Sequence, residues 1–211
     1  MKRLAILFIS TIFFQNLQAQ VTDIDGKTYK TIKISNHLWM AENLNVSRYR
    51  NGDSVPQIQG DRQWENLSTG AWCYYENKKE NGILYGKLYN YMAASDSRGL
   101  APIGWHIPSE AEWKELVDSL GGDEKAGLSM KSKEGWQTLE SEFNSSGFSG
   151  KQGGSRENDG KFIGATAEWW SADESNSYNA FFIFLNNSIS NVGISNYDKL
   201  SGFSVRCIKD Y

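Results

Sequence analysis

Between residues 167 and 208 four short apolar runs follow one another, AEWWSA, YNAFFIFL, SISNVGIS and GFSVRCI, with polar turn residues between them. Runs of this length, rich in aromatic and β-branched residues at near-regular spacing, predict an antiparallel sheet. The rest of the chain shares that bias. Eight Trp, ten Tyr and ten Phe accompany twenty Gly and only three Pro, a mixture that suits short strands, tight turns and aromatic packing better than a helical bundle.

The amino terminus has a different character. Lys2 and Arg3 precede the apolar run LAILFISTIFF, Leu4 to Phe14, which is too short to cross a bilayer and has the charge-then-apolar order of a secretory leader. A leader over 1–19, cut after Ala19, leaves 20–211 as a single domain, long enough to bury roughly 70% of its unfolded surface. Export to the periplasm, the cell surface or the medium is therefore expected. No cysteine follows the cut, so a lipoprotein is not expected. No later stretch qualifies as a transmembrane helix. The net charge is −3 and falls further without Lys2 and Arg3; with no basic stripe, nucleic acid is not an expected partner.

VTDIDGKTYKTIKI reads as a hairpin, with Asp25-Gly26 as a two-residue turn and Ile32 and Ile34 alternating with Thr31 and Lys33. A calcium loop registered on Gly26 would need acids where Val21 and Ile32 stand. Residues 37–70 show no sustained period and read as irregular. GAWCYYE reads as a buried strand, and Leu88 and Met92, four apart, predict a short helix from Lys87 to Ala94. Ser145 to Asp159 is rich in Gly, Ser and Asn and reads as a long irregular loop.

One helix is fully signposted. Ser109 to Glu112 is a Ser-x-x-Glu capping box, Trp113, Leu116, Val117 and Leu120 form one apolar face, and Gly121-Gly122 ends the run. His106 and Glu110 beside it could form an acid-base pair, but a lone His at a helix start has a structural reading as a hydrogen-bonded side chain. Cys73 and Cys207 are the only cysteines. In an exported chain they suggest one disulfide, which would contribute up to about 4–5 kcal/mol by constraining the unfolded state; two buried thiols are the alternative.

The order YKTIKI, WMAENLN, WCYY, YGKLYNY, GLAPIGWHIPSEAEW, GGSR with DGKF, WWSADE and GFSVRC closely resembles the Fibrobacter succinogenes major paralogous domain, over Asp23 to Lys209. The resemblance implies an exported protein of the Bacteroidetes–Fibrobacter kind and brings no biochemical activity with it. More distantly, the chain resembles the C-type lectin-like fold of formylglycine-generating enzymes. That likeness implies an α+β fold, with two short helices, a mainly antiparallel carboxyl-terminal sheet and long loops. The fold's two known chemistries are not implied: the cysteines are far apart, and the prolines, Pro56, Pro102 and Pro108, do not supply the lectin calcium motif.

Three functions are weighed on the residues. A hydrolase would use loop carboxylates, Glu168, Asp173 and Glu174, beside an aromatic platform; no GxSxG, HExxH or cysteine-metal spacing is present. A binding module would use Trp169, Trp170, Tyr178 and Tyr197 as stacking faces, with Asn187 and Asn191 among nearby asparagines as hydrogen-bonding groups and Arg156 lining the site, which suits sugar rings. A surface structural or protein-interaction domain would present its loops to a cell-surface protein. Asn158 and Asp159 could hold a hard cation, against a turn at Asp159-Gly160 with Arg156 anchoring the loop. No cofactor or metal is expected, and calcium has no supporting motif. The expectation is a non-enzymatic binding or surface-interaction module.

Overall fold

The computed structural model describes residues 20–136, 142–188 and 190–211, so the expected leader lies outside the described residues. In chain order the first half forms β1 (Gln20–Thr22), β2 (Thr28–Ile34), β3 (His37–Met40), α1 (Asp61–Glu65), β4 (Trp72–Cys73), α2 (Lys79–Tyr85), β5 (Leu88–Asn90), α3 (Tyr91–Ala94) and β6 (Trp105–His106). The second half forms α4 (Glu110–Ser119), α5 (Asp123–Met130), β7 (Ser155–Arg156), β8 (Phe162–Ile163), β9 (Thr166–Glu174), β10 (Asn179–Asn186), β11 (Gly193–Asp198), β12 (Gly202–Phe203) and β13 (Ile208–Lys209).

The strands build three sheets, ordered β1-β2-β3-β13-β6, β11-β10-β9 and β4-β5-β12-β7-β8. The expected α+β, C-type lectin-like core is thereby corrected: the fold is mostly β, its neighbouring strands run antiparallel, and the described helices are short. The reason lies in strand length. Many of these strands are only two to four residues long, too short for a period of two to show in sequence.

Four local expectations change. His37–Met40, read as irregular, pairs with β2. Leu88 to Asn90, read as helical, pairs with β4 and β12, and the helix begins only after Asn90, whose side chain caps it by accepting from the Ala93 amide. In the first hairpin, Thr22 pairs with Thr28, so the turn spans the residues between them rather than Asp25-Gly26 alone. Gly26 does take the left-handed conformation there (φ 84°). The last run, GFSVRCI, splits: β12 joins the third sheet and β13 the first, so residues 202–209 tie two sheets together.

The capped helix is as expected. Ser109 Oγ accepts from the Glu112 amide while Glu112 Oε2 accepts from the Ser109 amide, and Trp113, Leu116 and Val117 are buried. The middle sheet separates two cores. Trp169, Ile183 and Leu185 face Trp39, Trp113, Met130 and Phe148. Trp170, Ala180 and Phe182 face Tyr89, Tyr91 and Phe203. Burial of each large side chain contributes about 1.5–3 kcal/mol relative to exposure.

The expected disulfide is also corrected, because Cys73 and Cys207 are both free and buried. Cys73 packs with Trp64, Ala71 and Leu88 on one face of the third sheet. Cys207 lies with Tyr29, Met40 and Tyr89 in the core on the other side. Side chains alternate between faces along a strand, so Cys73 is turned away from its expected partner. Burial pushes both thiols up to about 12, which leaves them protonated and unreactive.

Candidate ligand-binding groove

The predicted aromatic and asparagine site does not assemble. Trp169 and Trp170 are both 0% exposed, and their indole nitrogens donate inward, to Asn43 Oδ1 and to the Tyr89 carbonyl, each at 2.8 Å. Neither can stack on a ligand. Tyr178 is 78% exposed and Tyr197 is 40% exposed, its hydroxyl donating to Glu157 Oε2 at 2.6 Å. Asn187 and Asn191 lie in the β10–β11 connection, at the opposite end of the hairpin from Tyr178 and Tyr197. Asn187 Oδ1 accepts from Gln152 Nε2 at 2.7 Å.

Arg156 is fully buried. Its guanidinium donates to the carbonyls of Gly160, Ile58 and Gln59 and to Asp61, between the rings of Trp64 and Phe162. It anchors its loop rather than lining a site. Asp159 accepts from the Lys161 amide and pairs with Lys161 Nζ at 2.6 Å, while Gly160 takes the left-handed conformation. The Asp159-Gly160 stretch is a turn.

The carboxylates proposed for hydrolysis are dispersed. Asp173 accepts from the Glu110 amide at 2.6 Å, and Glu174 pairs with Lys199 at 3.0 Å. Glu168 lies apart from both, and burial raises its carboxyl to about 7 even though the Ser155 and Thr166 hydroxyls pull it down. His106 does not pair with Glu110: its Nδ1 faces Asp210 at 2.7 Å and its Nε2 faces the capping-box Glu112 at 2.9 Å. Glu110 instead pairs with Lys114 at 2.6 Å. Among the described residues no group of three or more His, Cys, Asp or Glu is arranged to hold a metal.

The structure has a cleft that the sequence did not announce. A cavity of about 350 Å3 opens between the β1–β2 turn, the segment after β3, the end of α2 and the loop at 149–151, with Arg206 among its lining residues. A second cavity of about 330 Å3 shares Leu84, Tyr85 and Lys151 with the first. The two adjoin at these three residues, and the second extends to Gln152 and Ala165; together they are termed the groove.

Asn43 organises the groove wall. Its Oδ1 accepts from Trp169 Nε1 and from Arg206 Nε and Nη2, at 2.8, 3.0 and 2.6 Å. Its Nδ2 donates to the Tyr85 carbonyl and to Ser204 Oγ. Arg206 Nη1 donates to the Met40 and Phe148 carbonyls, and the guanidinium lies 4.3 Å from the Phe148 ring centre. Burial works to lower its pKa with Glu42 opposing, and the intrinsic basicity of guanidinium keeps it charged. Gly86 turns the chain here at φ 80°, where a Cβ would sit 2.7 Å from the Leu44 carbonyl oxygen. Burial also pushes the Lys27 ammonium below its ordinary range, against Glu42 and Asp23, while Lys151 adds to the lowering.

Asn43 and Arg206 stand in WMAENLN and GFSVRC, two of the motifs that carried the family resemblance. The model of the Fibrobacter succinogenes major domain matches residues 32–209. The chain belongs to that family. Both ends of the Asn43–Arg206 contact thus fall inside the Fibrobacter succinogenes major domain, as does Lys151; Lys27 and Lys30 precede the matched span. No curated protein and no solved structure matches the chain. Sequence reasoning missed the groove because its walls come from segments between residues 27 and 206, and no spacing within any one segment records that they meet.

Proposed function

We propose that this Fibrobacter succinogenes major domain is an exported, non-catalytic binding module that holds an extended ligand, a glycan chain, in the groove beside Lys151. The observation that carries this reading is adjacency: two cavities of about 350 and 330 Å3 share the lining residues Leu84, Tyr85 and Lys151, and small-molecule sites begin at roughly 300 Å3. A groove longer than one such site suits a chain of rings better than a compact cofactor. Its wall mixes apolar surface from Leu84 and Tyr85 with the side-chain amide of Gln152, the combination that sugar faces and hydroxyls require. The amino-terminal leader pattern supports export. The dispersal of Glu168, Asp173 and Glu174 supports binding over hydrolysis.

A glycan array with the purified protein, run with calcium and again with a chelator, tests the reading. Reproducible hits that persist in chelator and weaken severalfold on Leu84→Ala are expected. A blank array on protein with a cooperative melt contradicts it. Weight would then move to a protein partner, a reading favoured by Ile83 and Ile103, which are 78% and 85% exposed.

A further inference from the structure

The groove is electrostatically lopsided. Its first cavity is lined by Lys27, Lys30, Lys151 and Arg206, with Glu42 as the single acid, in a chain whose net charge is −3. Elsewhere several basic side chains find carboxylates, as Arg48 does with Asp25, Arg98 with Asp96, Lys114 with Glu110 and Lys199 with Glu174, while Arg50 and Lys87 donate to carbonyl and hydroxyl oxygens. Among the described residues none of the four cavity cations makes such a pair. Lys27 lies over the Tyr29 ring at 4.7 Å, Lys151 reaches only the Leu84 carbonyl at 3.4 Å, and Arg206 donates to carbonyl and amide oxygens. Arg206 is 1% exposed, so its charge is held in place by the fold. Four cations around a cavity that holds one carboxylate leave an excess of positive charge, which lowers the free energy of a bound anion. The second cavity adds Glu134 against the shared Lys151 and no further cation, so the positive potential is confined to one end.

Resting on the groove reading, we propose that the ligand is an acidic saccharide, bound with a carboxylate or sulfate group in the first cavity and with its uncharged part running past Lys151 into the second. Lys30 and Lys151, both exposed, supply mobile ammonium groups. Arg206, buried and held by the fold, supplies fixed charge, and Lys27, partly buried over the Tyr29 ring, adds a third ammonium. The lysines act as point charges, so the site discriminates by charge more than by oxyanion geometry.

Calorimetric titration of the purified protein tests this with four probes: a trisaccharide of uronic acids, the same trisaccharide with its carboxyls reduced to hydroxymethyl groups, a sulfated trisaccharide, and inorganic sulfate. The acidic saccharides are expected to bind at least tenfold more tightly than the reduced one, and to weaken as salt rises from 50 to 500 mM. The uronate and sulfate arms identify which oxyanion is preferred. The double variant Lys30→Gln/Lys151→Gln, with an unchanged melting temperature, should erase most of the preference for acid. If the reduced trisaccharide binds as tightly as the uronate, the anionic inference falls while the groove reading stands. If no saccharide binds, the groove reading falls with it. If inorganic sulfate binds as tightly as the saccharides, the cavity is an ion site and the saccharide part is overturned.

Discussion

Trp169 and Trp170 are consecutive on β9 and bury their indoles in two different cores, one against Phe148 at 5.5 Å and the other against Phe203 at 4.4 Å between ring centres. A strand that sends adjacent tryptophans to opposite, equally buried faces is the partition of the molecule rather than part of its surface. The aromatic pair that suggests a stacking platform in sequence is therefore the scaffold on which the groove is hung, through the Trp169–Asn43–Arg206 contacts.

Trp170→Ala should cost about 3–5 kcal/mol of stability, measured by chemical denaturation. Tyr178→Ala, at an exposed position, should change stability by less than about 0.5 kcal/mol. Equal effects would show that the two cores are not partitioned by β9.

Arg156→Lys should destabilise despite keeping the charge. The guanidinium fork serves three carbonyls and Asp61 at once, and an ammonium cannot span them. A loss of about 2–3 kcal/mol is expected, read from the urea midpoint at constant slope. An unchanged midpoint would mean that the loop does not depend on its anchor.

Glu168 sets an unusual pH dependence. Burial raises its carboxyl from the ordinary 4.5 to about 7 in the folded protein. Below about 4.5 both folded and unfolded states hold the proton; above that the unfolded state loses it first, so stability falls as pH rises towards 7. Melting curves from pH 4 to 8 should show this decline, and Glu168→Gln should flatten it and raise the melting temperature at pH 7. A wild-type and variant difference independent of pH would exclude Glu168 as the cause.

His106 contributes a second decline. Burial opposes its charge, but hydrogen bonds to Asp210 and Glu112 outweigh that and hold its pKa above the ordinary 6.5. The gain is full below 6.5 and is lost as pH rises through the raised folded value. His106→Gln should lower the melting temperature more at pH 5.5 than at pH 8.5. The reverse order would show that the His is held neutral.

The free cysteines make a simple test. Cys73 and Cys207 should resist a thiol reagent in the native protein and react fully after unfolding in denaturant, and reductant should leave the melting temperature unchanged. A drop in melting temperature with reductant would reveal a bridge.

What could be read in the sequence was what long, local patterns record. The helix after Ser109 was legible because capping and the Trp113–Leu116–Val117 face lie within a few residues of one another, and β9 and β10 because their apolar runs are long; β11 starts only at Gly193, near the end of SISNVGIS, and runs on to Asp198. The two-residue strands β4, β6, β12 and β13 carry no period and exist only through their partners. His106 shows the same limit: its helical neighbour was visible, but Asp210 reaches it from the far end of the chain. The groove is the extreme case, since Lys30, Asn43, Lys151 and Arg206 have no shared motif.

The most direct test of the binding groove is a two-dimensional 1H–15N NMR titration with the uronic acid trisaccharide. Shifts are expected to concentrate at the amides of Lys27, Lys30, Glu42 to Asn43, Tyr85 to Gly86 and Ser149 to Gln152. Saturable shifts centred instead on Tyr178, Asn196 and Tyr197 would contradict that placement and return the site to the exposed end of the β10–β11 hairpin.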